Sequence, residues 1–177
     1  MAEIEHFVDP ADKSHPKFKN YRDMKLPLLS QPAQVNGTGL EWIEIGKAVD
    51  DKTVHNETLG YFLARIYLFL IDIGVDKNMV RLRQLSSTER AHYAQDCWDT
   101  EIETSFGWIE CVSCADRSAY DLEHHTEATG VKLLGARRFK EPKPTQQTTV
   151  HLNKAVVGKA YKKDAQILQA HIEKLKE

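Results

Sequence analysis

The stretch Asn56-Glu-Thr-Leu-Gly-Tyr-Phe-Leu-Ala-Arg-Ile-Tyr-Leu-Phe-Leu-Ile-Asp-Ile-Gly74 carries the strongest structural pattern in this chain. Its apolar residues recur every three or four positions, which is the spacing of a helix with one buried face. Asn56 and Thr58 are suitable N-terminal caps, and Gly74 is a suitable residue to end the helix. Gly60 and Ala64 would let a neighbouring element approach closely. The pattern predicts one long, largely buried helix.

The composition of the whole chain is that of a soluble globular domain. It has 177 residues, of which 41% are hydrophobic and 28% are charged, and this length is sufficient for one domain with a core. The longest apolar run, Ile66 to Ile71, is far shorter than the roughly 20 residues of a membrane-spanning helix. The acidic N-terminus lacks the apolar core of a secretory signal. We therefore expect no membrane association.

Charge is divided unevenly along the chain. Residues 1–130 carry 13 Lys and Arg against 22 Asp and Glu, whereas residues 131–177 carry 11 against 4. A basic stretch of this kind can contact phosphates, and it can equally be a solvated lysine-rich surface. Both interpretations remain open at this point.

The three cysteines do not form a disulfide framework, because their number is odd and their spacing irregular. They fit a reducing compartment such as the cytosol. Cys111-Val-Ser-Cys114 is a lone C-x-x-C inside a predicted strand, whereas zinc sites with this spacing usually lie on turns. By composition alone, the histidines that could complete such a site are His92, His124 and His125. We expect buried structural cysteines and no bound zinc or other metal.

The segments before the helix are less regular. Residues 1–8 alternate in polarity, which predicts a short strand with Glu3 and Glu5 on one face. Residues 9–55 contain several prolines and glycines and are expected to be loop-rich, with a flexible excursion from Gln31 to Gly39.

The segments after the helix alternate between strand and helix patterns. Strands are expected at residues 80–85 and, as a buried strand, from Phe106 to Ala115. Helices are expected from Glu89 towards Trp98, over residues 120–128, and from about Gly158 to the end of the chain, with β-like patches in 131–153. This irregular alternation predicts an α+β fold with an antiparallel sheet.

Asp116-Arg117-Ser118 places an arginine just beyond the second of these strands. Arginine is the natural partner of a carboxylate or a phosphate, and a rigid strand end would fix its direction. The alternative is an ordinary ion pair with Asp116 or Asp121. The sequence leaves both possibilities open.

Several segments together resemble one family, the glycyl-tRNA synthetases of eukaryotic and archaeal type. The resemblance extends over nearly the whole chain, and its motifs are long and follow one another in order. They are Met1-Ala-Glu-Ile-Glu-His-Phe-Val-Asp-Pro10, Asn56 to Leu70, Ala91-His-Tyr-Ala-Gln-Asp-Cys-Trp-Asp99, Gly107-Trp-Ile-Glu110, Cys114-Ala-Asp-Arg-Ser118 and Gly158-Lys-Ala-Tyr-Lys-Lys-Asp164.

The resemblance implies that residues 1–177 form part of a class II synthetase catalytic domain, with an antiparallel sheet flanked by helices. It implies a ligase of protein biosynthesis that acts in the cytoplasm, with a mitochondrial pool as a second location. Members of this family are usually homodimers. The substrates would be glycine, ATP with Mg2+, and tRNA(Gly). Glycine would first be converted to glycyl-adenylate and then transferred to the tRNA.

The resemblance also implies the site residues. Glu3 matches a glutamate that contacts the glycine ammonium, and Arg117 matches an arginine beside the substrate site. The chain would begin at the second strand of motif 2, so the motif 2 arginine, the motif 3 arginine, the rest of the glycine pocket and the anticodon-binding domain would lie outside it. No complete catalytic set is then expected within these residues, and the isolated chain is expected to be inactive. The alternative is a non-catalytic paralogue or interaction module that binds tRNA or a synthetase partner.

Overall fold

The computed structural model describes residues 2–136, 138, 141–142, 144, 146 and 152–173. The chain forms two compact units, Met1–Leu133 and Leu134–Glu177. The strands of the first unit are β1 (Lys25–Leu29), β2 (Glu41–Glu44), β3 (Val80–Gln84), β4 (Ala94–Thr104) and β5 (Gly107–Arg117). Its α-helices are α1 (Gln31–Asn36), α2 (Ile45–Asp50), α3 (Glu57–Asp72) and α4 (Tyr120–Thr129).

The five strands form one sheet in the order β2-β1-β3-β4-β5. The α+β class expected from the sequence is confirmed. The sheet is mixed, however, because β1 and β3 run parallel while the other neighbours are antiparallel. The parallel pair arises because β2 runs back antiparallel to β1, and the chain then crosses through α2 and α3, so that β3 starts from the same end as β1.

Helix α3 confirms the prediction made from its apolar spacing. The side chain of Asn56 accepts a hydrogen bond from the backbone N–H of Leu59 at 3.0 Å, and Gly74 follows the helix with φ 101°, a conformation that glycine adopts without strain. The helix packs its buried face on the sheet. The residues at the centre of this core are Phe18, Leu26, Leu28, Ile45, Val54, Leu63, Ala64, Leu82 and Trp98.

Strand β4 occupies residues for which the sequence pattern had predicted a helix from Glu89 towards Trp98; that prediction was wrong. The pattern misled because Asp96 and Thr100 are polar yet face the core side of the strand together with Trp98. Asp96 is tolerated there because its carboxylate accepts three hydrogen bonds, from the backbone N–H of His55, the indole of Trp98 and the amide of Gln84. A buried charge with this many donors is stabilised in its place.

Strand β5 confirms the predicted strand after Phe106, but the expectation that it is buried was wrong. It forms one edge of the sheet, and its residues are exposed or half-buried. Cys111 is exposed and Cys114 is half-buried, so only the second cysteine resembles the buried structural residue that was expected.

The N-terminal expectations also need correction. Residues 2–8 form no strand, and no strand of the described chain pairs with them; an alternating pattern gives a strand only where a partner supplies hydrogen bonds. Residues 9–55 are irregular only in part. Residues 25–50 contain β1, α1, β2 and α2, so the expected excursion from Gln31 to Gly39 begins as a helix, capped by Ser30.

In the second unit, α5 (Lys154–Tyr161) and α6 (Ala165–Glu173) stand where one helix from about Gly158 had been predicted. The first helix begins earlier because the Asn153 side chain caps it. A 3-10 turn at Lys162–Asp164 separates the two, and Lys162 has a positive φ of 44°. The described residues of 131–153 lie in no strand, and the remaining residues of that stretch fall outside the description. Among the described helices, none has the length and apolar character needed to span a membrane.

We predict that Gly60→Val destabilises the first unit by about 1–3 kcal/mol, the usual cost of overpacking a core. A Cβ at Gly60 would lie 2.9 Å from Val49 Cγ2 and 3.0 Å from Phe18 Cε2, both of which are held inside the core. Urea unfolding, monitored by tryptophan fluorescence, measures the change in the free energy of unfolding. The control is Arg65→Val, at an exposed position of the same helix. Equal stability of both variants would show that α3 is not packed as closely as the structure places it.

Candidate functional site

The sheet has one apolar face and one polar face. The apolar face carries Leu82 and Trp98 against α3. By the alternation of side chains along a strand, the residues between them project from the opposite side. This polar face carries Arg81 and Arg83 on β3, Cys97, Asp99 and Glu101 on β4, and Ser113, Ala115 and Arg117 on β5.

Two arginines of the polar face share one glutamate. Arg81 Nε donates to Glu101 Oε2, and Arg83 Nε donates to Glu101 Oε1 at 3.2 Å. Arg83 also pairs with Glu89 at 3.1 Å. Hydrogen bonds from the backbone and side chain of Ser86, together with Arg83, lower the pKa of Glu89 to about 2. These contacts fix the loop after β3 above the polar face.

Asp99 lies at the centre of this face and is almost completely buried, with 5% of its surface exposed. It accepts one hydrogen bond from the Ser113 hydroxyl at 2.8 Å. Burial raises the pKa of Asp99, and the Ser113 hydrogen bond and the charge of Arg83 only partly oppose this shift. Asp99 is thus a carboxylate whose charged form costs free energy in the folded protein.

Arg117 stands at the end of β5, as expected. Its guanidinium forms an ion pair with Asp121 on α4 and lies 4.3 Å from the centre of the Tyr93 ring. The hydrogen bond to Asp121 raises the pKa of Arg117. The structure therefore contains the ion pair with Asp121 that the sequence had left open. The side chain is still 46% exposed, so its remaining N–H groups are accessible to a ligand.

The structure does not join Glu3 to Arg117. Glu3 lies exposed in the irregular N-terminal segment, and no hydrogen bond or ion pair connects it with Arg117 among the described contacts. Glu5 is closer, since its charge contributes to raising the pKa of Arg117. The roles that the family resemblance assigns to Glu3 and Arg117 stay predictions.

The sequence analysis did not predict a cluster of polar side chains around Asp116, which lies at the end of β5 on the side of the sheet opposite to Arg117. Asp116 points towards the N-terminus of α3, where it accepts hydrogen bonds from Lys13 Nζ at 2.8 and 3.0 Å and from Asn56 Nδ2 at 2.8 Å. The ring Nδ1 of His55 also lies 2.8 Å from Asp116 Oδ2. No local pattern could reveal this cluster, because the partners of Asp116 lie between 60 and 103 residues from it in sequence.

The N-terminal segment is also held by aromatic contacts with α3. His15 stacks on Tyr61 with ring centres 3.7 Å apart, and His6 lies edge-on to Phe62 at 5.2 Å. Burial lowers the pKa of His15, and the charges of His6 and Lys17 lower it further. The segment that carries Glu3 thus meets the helix through ring contacts, and the His15 backbone N–H also donates to the Glu57 carboxylate at 3.1 Å.

The C-x-x-C pair does not come together. Cys111 lies where the pairing of β4 with β5 shifts register and is exposed, whereas Cys114 is half-buried and packs against the core. Burial raises the pKa of the Cys114 thiol to about 12, which disfavours the thiolate that a metal would bind. Within the described residues, no three His, Cys, Asp or Glu side chains are grouped as metal ligands. The absence of zinc stays a prediction.

Comparisons with known proteins give a consistent result. No protein-family model matches the chain. It is 51% identical over 175 residues to the glycine–tRNA ligase of Drosophila melanogaster, covering 99% of this chain and 23% of that protein. It is 50% identical over 173 residues to the mitochondrial glycine–tRNA ligase 1 of Saccharomyces cerevisiae, covering 97% of this chain and 25% of that protein. It is 44% identical over 163 residues to a protein of Arabidopsis thaliana named as a cytoplasmic glycine–tRNA ligase, covering 92% of this chain and 35% of that protein.

The resemblance found in the sequence is thereby confirmed: over nearly all of its residues this chain is a homologue of glycine–tRNA ligases. It spans about a quarter to a third of the length of these relatives.

We predict that Asp99→Asn raises the stability of the protein at pH 7. The folded-state pKa of Asp99 is raised above the unfolded value of about 3.9, so the wild-type protein loses stability as pH rises from about 4 through the folded-state pKa. Asparagine carries no charge and can still accept the Ser113 hydrogen bond. Urea midpoints between pH 3.5 and 7 measure the difference between variant and wild type.

The gain of the Asp99→Asn variant is expected to vanish towards pH 3.5. Glu103→Gln, at an exposed position on the same strand, is the matched control and should show no such trend. A variant that is less stable than wild type at pH 7 would mean that Arg83 stabilises the Asp99 carboxylate more than burial destabilises it.

Proposed function

We propose that this chain, a homologue of glycine–tRNA ligases over nearly all of its residues, forms part of the catalytic domain of such a ligase. The observation that carries the proposal is the identity of 51% over 99% of the chain. Identity at this level over such a length indicates a common ancestor and the same local fold. Three of the motifs that carry the resemblance, those around Glu3, Asp99 and Arg117, lie in the N-terminal segment and on the sheet.

The reaction of the complete ligase has two steps. A carboxylate oxygen of glycine attacks the α-phosphorus of ATP, the bond to pyrophosphate breaks, and glycyl-adenylate forms. A hydroxyl of the terminal ribose of tRNA(Gly) then attacks the glycyl carbonyl carbon, and AMP leaves. ATP enters as its Mg2+ complex, in which the metal offsets the negative charge of the phosphates. We further propose a homodimer that acts in the cytoplasm, with a mitochondrial pool.

The assignment of Glu3 to the glycine ammonium follows from what glycine offers for recognition. Glycine has no side chain, so an enzyme selects it through its ammonium group, its carboxylate and the exclusion of larger amino acids. A carboxylate gives the ammonium a charge-assisted hydrogen bond, which is about twice as strong as a neutral one. Arg117 would contact the substrate through its exposed N–H groups or orient the glutamates of the N-terminal segment.

We predict that Glu3→Gln weakens glycine use in a full-length ligase that contains this chain. Loss of one charge from a charged hydrogen bond in a closed site costs on the order of 2–4 kcal/mol, or roughly a 30- to 1000-fold loss in kcat/KM. Glycine-dependent pyrophosphate exchange measures this loss, with Glu103→Gln as the matched control. A change of less than about threefold, below 1 kcal/mol, would remove Glu3 from the glycine site.

We also predict that a polypeptide of these 177 residues alone does not form glycyl-adenylate. Catalysis at phosphate depends mainly on positive charges arranged around it, and the two arginines implied by the resemblance are not among these residues. Glu3 and Arg117 could form at most half of a glycine pocket. The assay is pyrophosphate exchange with glycine, ATP and magnesium at micromolar protein. Exchange within about tenfold of an intact ligase, a barrier difference near 1.4 kcal/mol, would mean that other residues supply the charges.

A further inference from the structure

We propose that Asp116 is a positioning residue of the glycine site: it fixes the direction of Arg117 and anchors the segment that carries Glu3. This inference rests on the proposed function, because it gives Asp116 a role only through residues assigned to glycine binding. Asp116 would not itself touch the substrate, since it points to the opposite face of the sheet from Arg117.

The first observation is the connectivity of Asp116. Its carboxylate, only 9% exposed, contacts Lys13 at 2.8 Å, His55 at 2.8 Å and Asn56 at 2.8 Å. These partners come from the N-terminal segment and from the two residues before α3. One side chain therefore holds two separate parts of the fold against the end of β5.

The second observation is the fixed position of Lys13. Its backbone carbonyl accepts hydrogen bonds from the N–H and the hydroxyl of Thr58 at 3.2 and 3.0 Å. Its ammonium reaches both Asp116 and the side chain of Gln95, at 2.8 Å. Lys13 is thus held at both ends, and the chain that runs back from it to Glu3 starts from a defined point.

The third observation concerns strand geometry. Asp116 and Arg117 are consecutive residues of β5, so their side chains leave the strand in opposite directions. Because β5 is an edge strand of the described sheet, it has a hydrogen-bonded neighbour on one side only among the described residues and is more easily twisted. Fixing Asp116 on the helix side restricts that twist and so sets the direction in which Arg117 projects on the polar face.

The test uses a full-length ligase that contains this chain and compares Asp116→Asn, Lys13→Met and the double variant. Both substitutions conserve size and remove charge. Pyrophosphate exchange gives kcat and KM for glycine, and the burst of adenylate formation gives the fraction of active enzyme. We expect each single variant to raise the KM for glycine about tenfold, less than the roughly 100-fold that a 1 Å misplacement can cost, because both substitutions keep the size of the side chain. The double variant should be no worse than the more affected single variant, since the two residues act as one contact.

The matched control is Asp51→Asn, a carboxylate that accepts a hydrogen bond from the backbone N–H of Thr53 and is not linked to β5; it should leave KM unchanged. A lower active fraction or melting temperature with an unchanged KM in both single variants would overturn the inference, since it would leave Asp116 a purely structural role. Lys13→Met keeps the test valid if Asp116→Asn fails to fold.

Arg117→Gln separates this inference from the proposal on which it rests. If Arg117→Gln raises the KM for glycine while Asp116→Asn and Lys13→Met do not, the glycine site stands and the positioning role falls. If Arg117→Gln leaves the kinetics unchanged, the assignment of Arg117 to the glycine site falls, and with it the role of Asp116.

Discussion

Burial of one face of α3 against the central strands is the constraint on which the rest of the structure depends. Leu63 and Ala64 on the helix and Leu82 and Trp98 on the sheet are inaccessible to solvent, and burial of each large side chain contributes about 1.5–3 kcal/mol. Gly60 lets α2 and Phe18 approach the helix closely. The helix thereby fixes the positions of β3 and β4, and through them the polar face on the far side of the sheet.

Two carboxylates on the core side of the sheet are each met by several hydrogen-bond donors. Asp96 accepts hydrogen bonds from a backbone amide, an indole and a side-chain amide, and Asp116 lies opposite it on β5 with a lysine, a histidine and an asparagine. A buried carboxylate without partners would cost several kcal/mol. These two residues thus tie the start of α3, the N-terminal segment and the sheet edge into one arrangement.

The two faces of the sheet differ in the residues that they carry. The face towards α3 is apolar and closed, while the other face carries arginines and carboxylates arranged in pairs, with Asp99 buried among them at a cost. Arg117 lies at the edge of this polar face and is only half covered by Asp121 and Tyr93. Partly exposed charges held in fixed directions on a rigid scaffold are what the proposed role of Arg117 in glycine binding would require.

The sequence by itself determined α3, its caps, the strands β3 and β5 and the helix after Arg117, because these follow from local spacing and capping chemistry. Its motifs also identified the homologous ligases. Only the tertiary structure decided that residues 94–98 form a strand, because Asp96 on its core side accepts hydrogen bonds from His55 and Gln84. It also decided that β1 and β3 run parallel and that Asp116 joins Lys13 to α3. Contacts between residues up to 103 positions apart leave no periodic trace in a sequence, and they exist only once the core has brought the segments together.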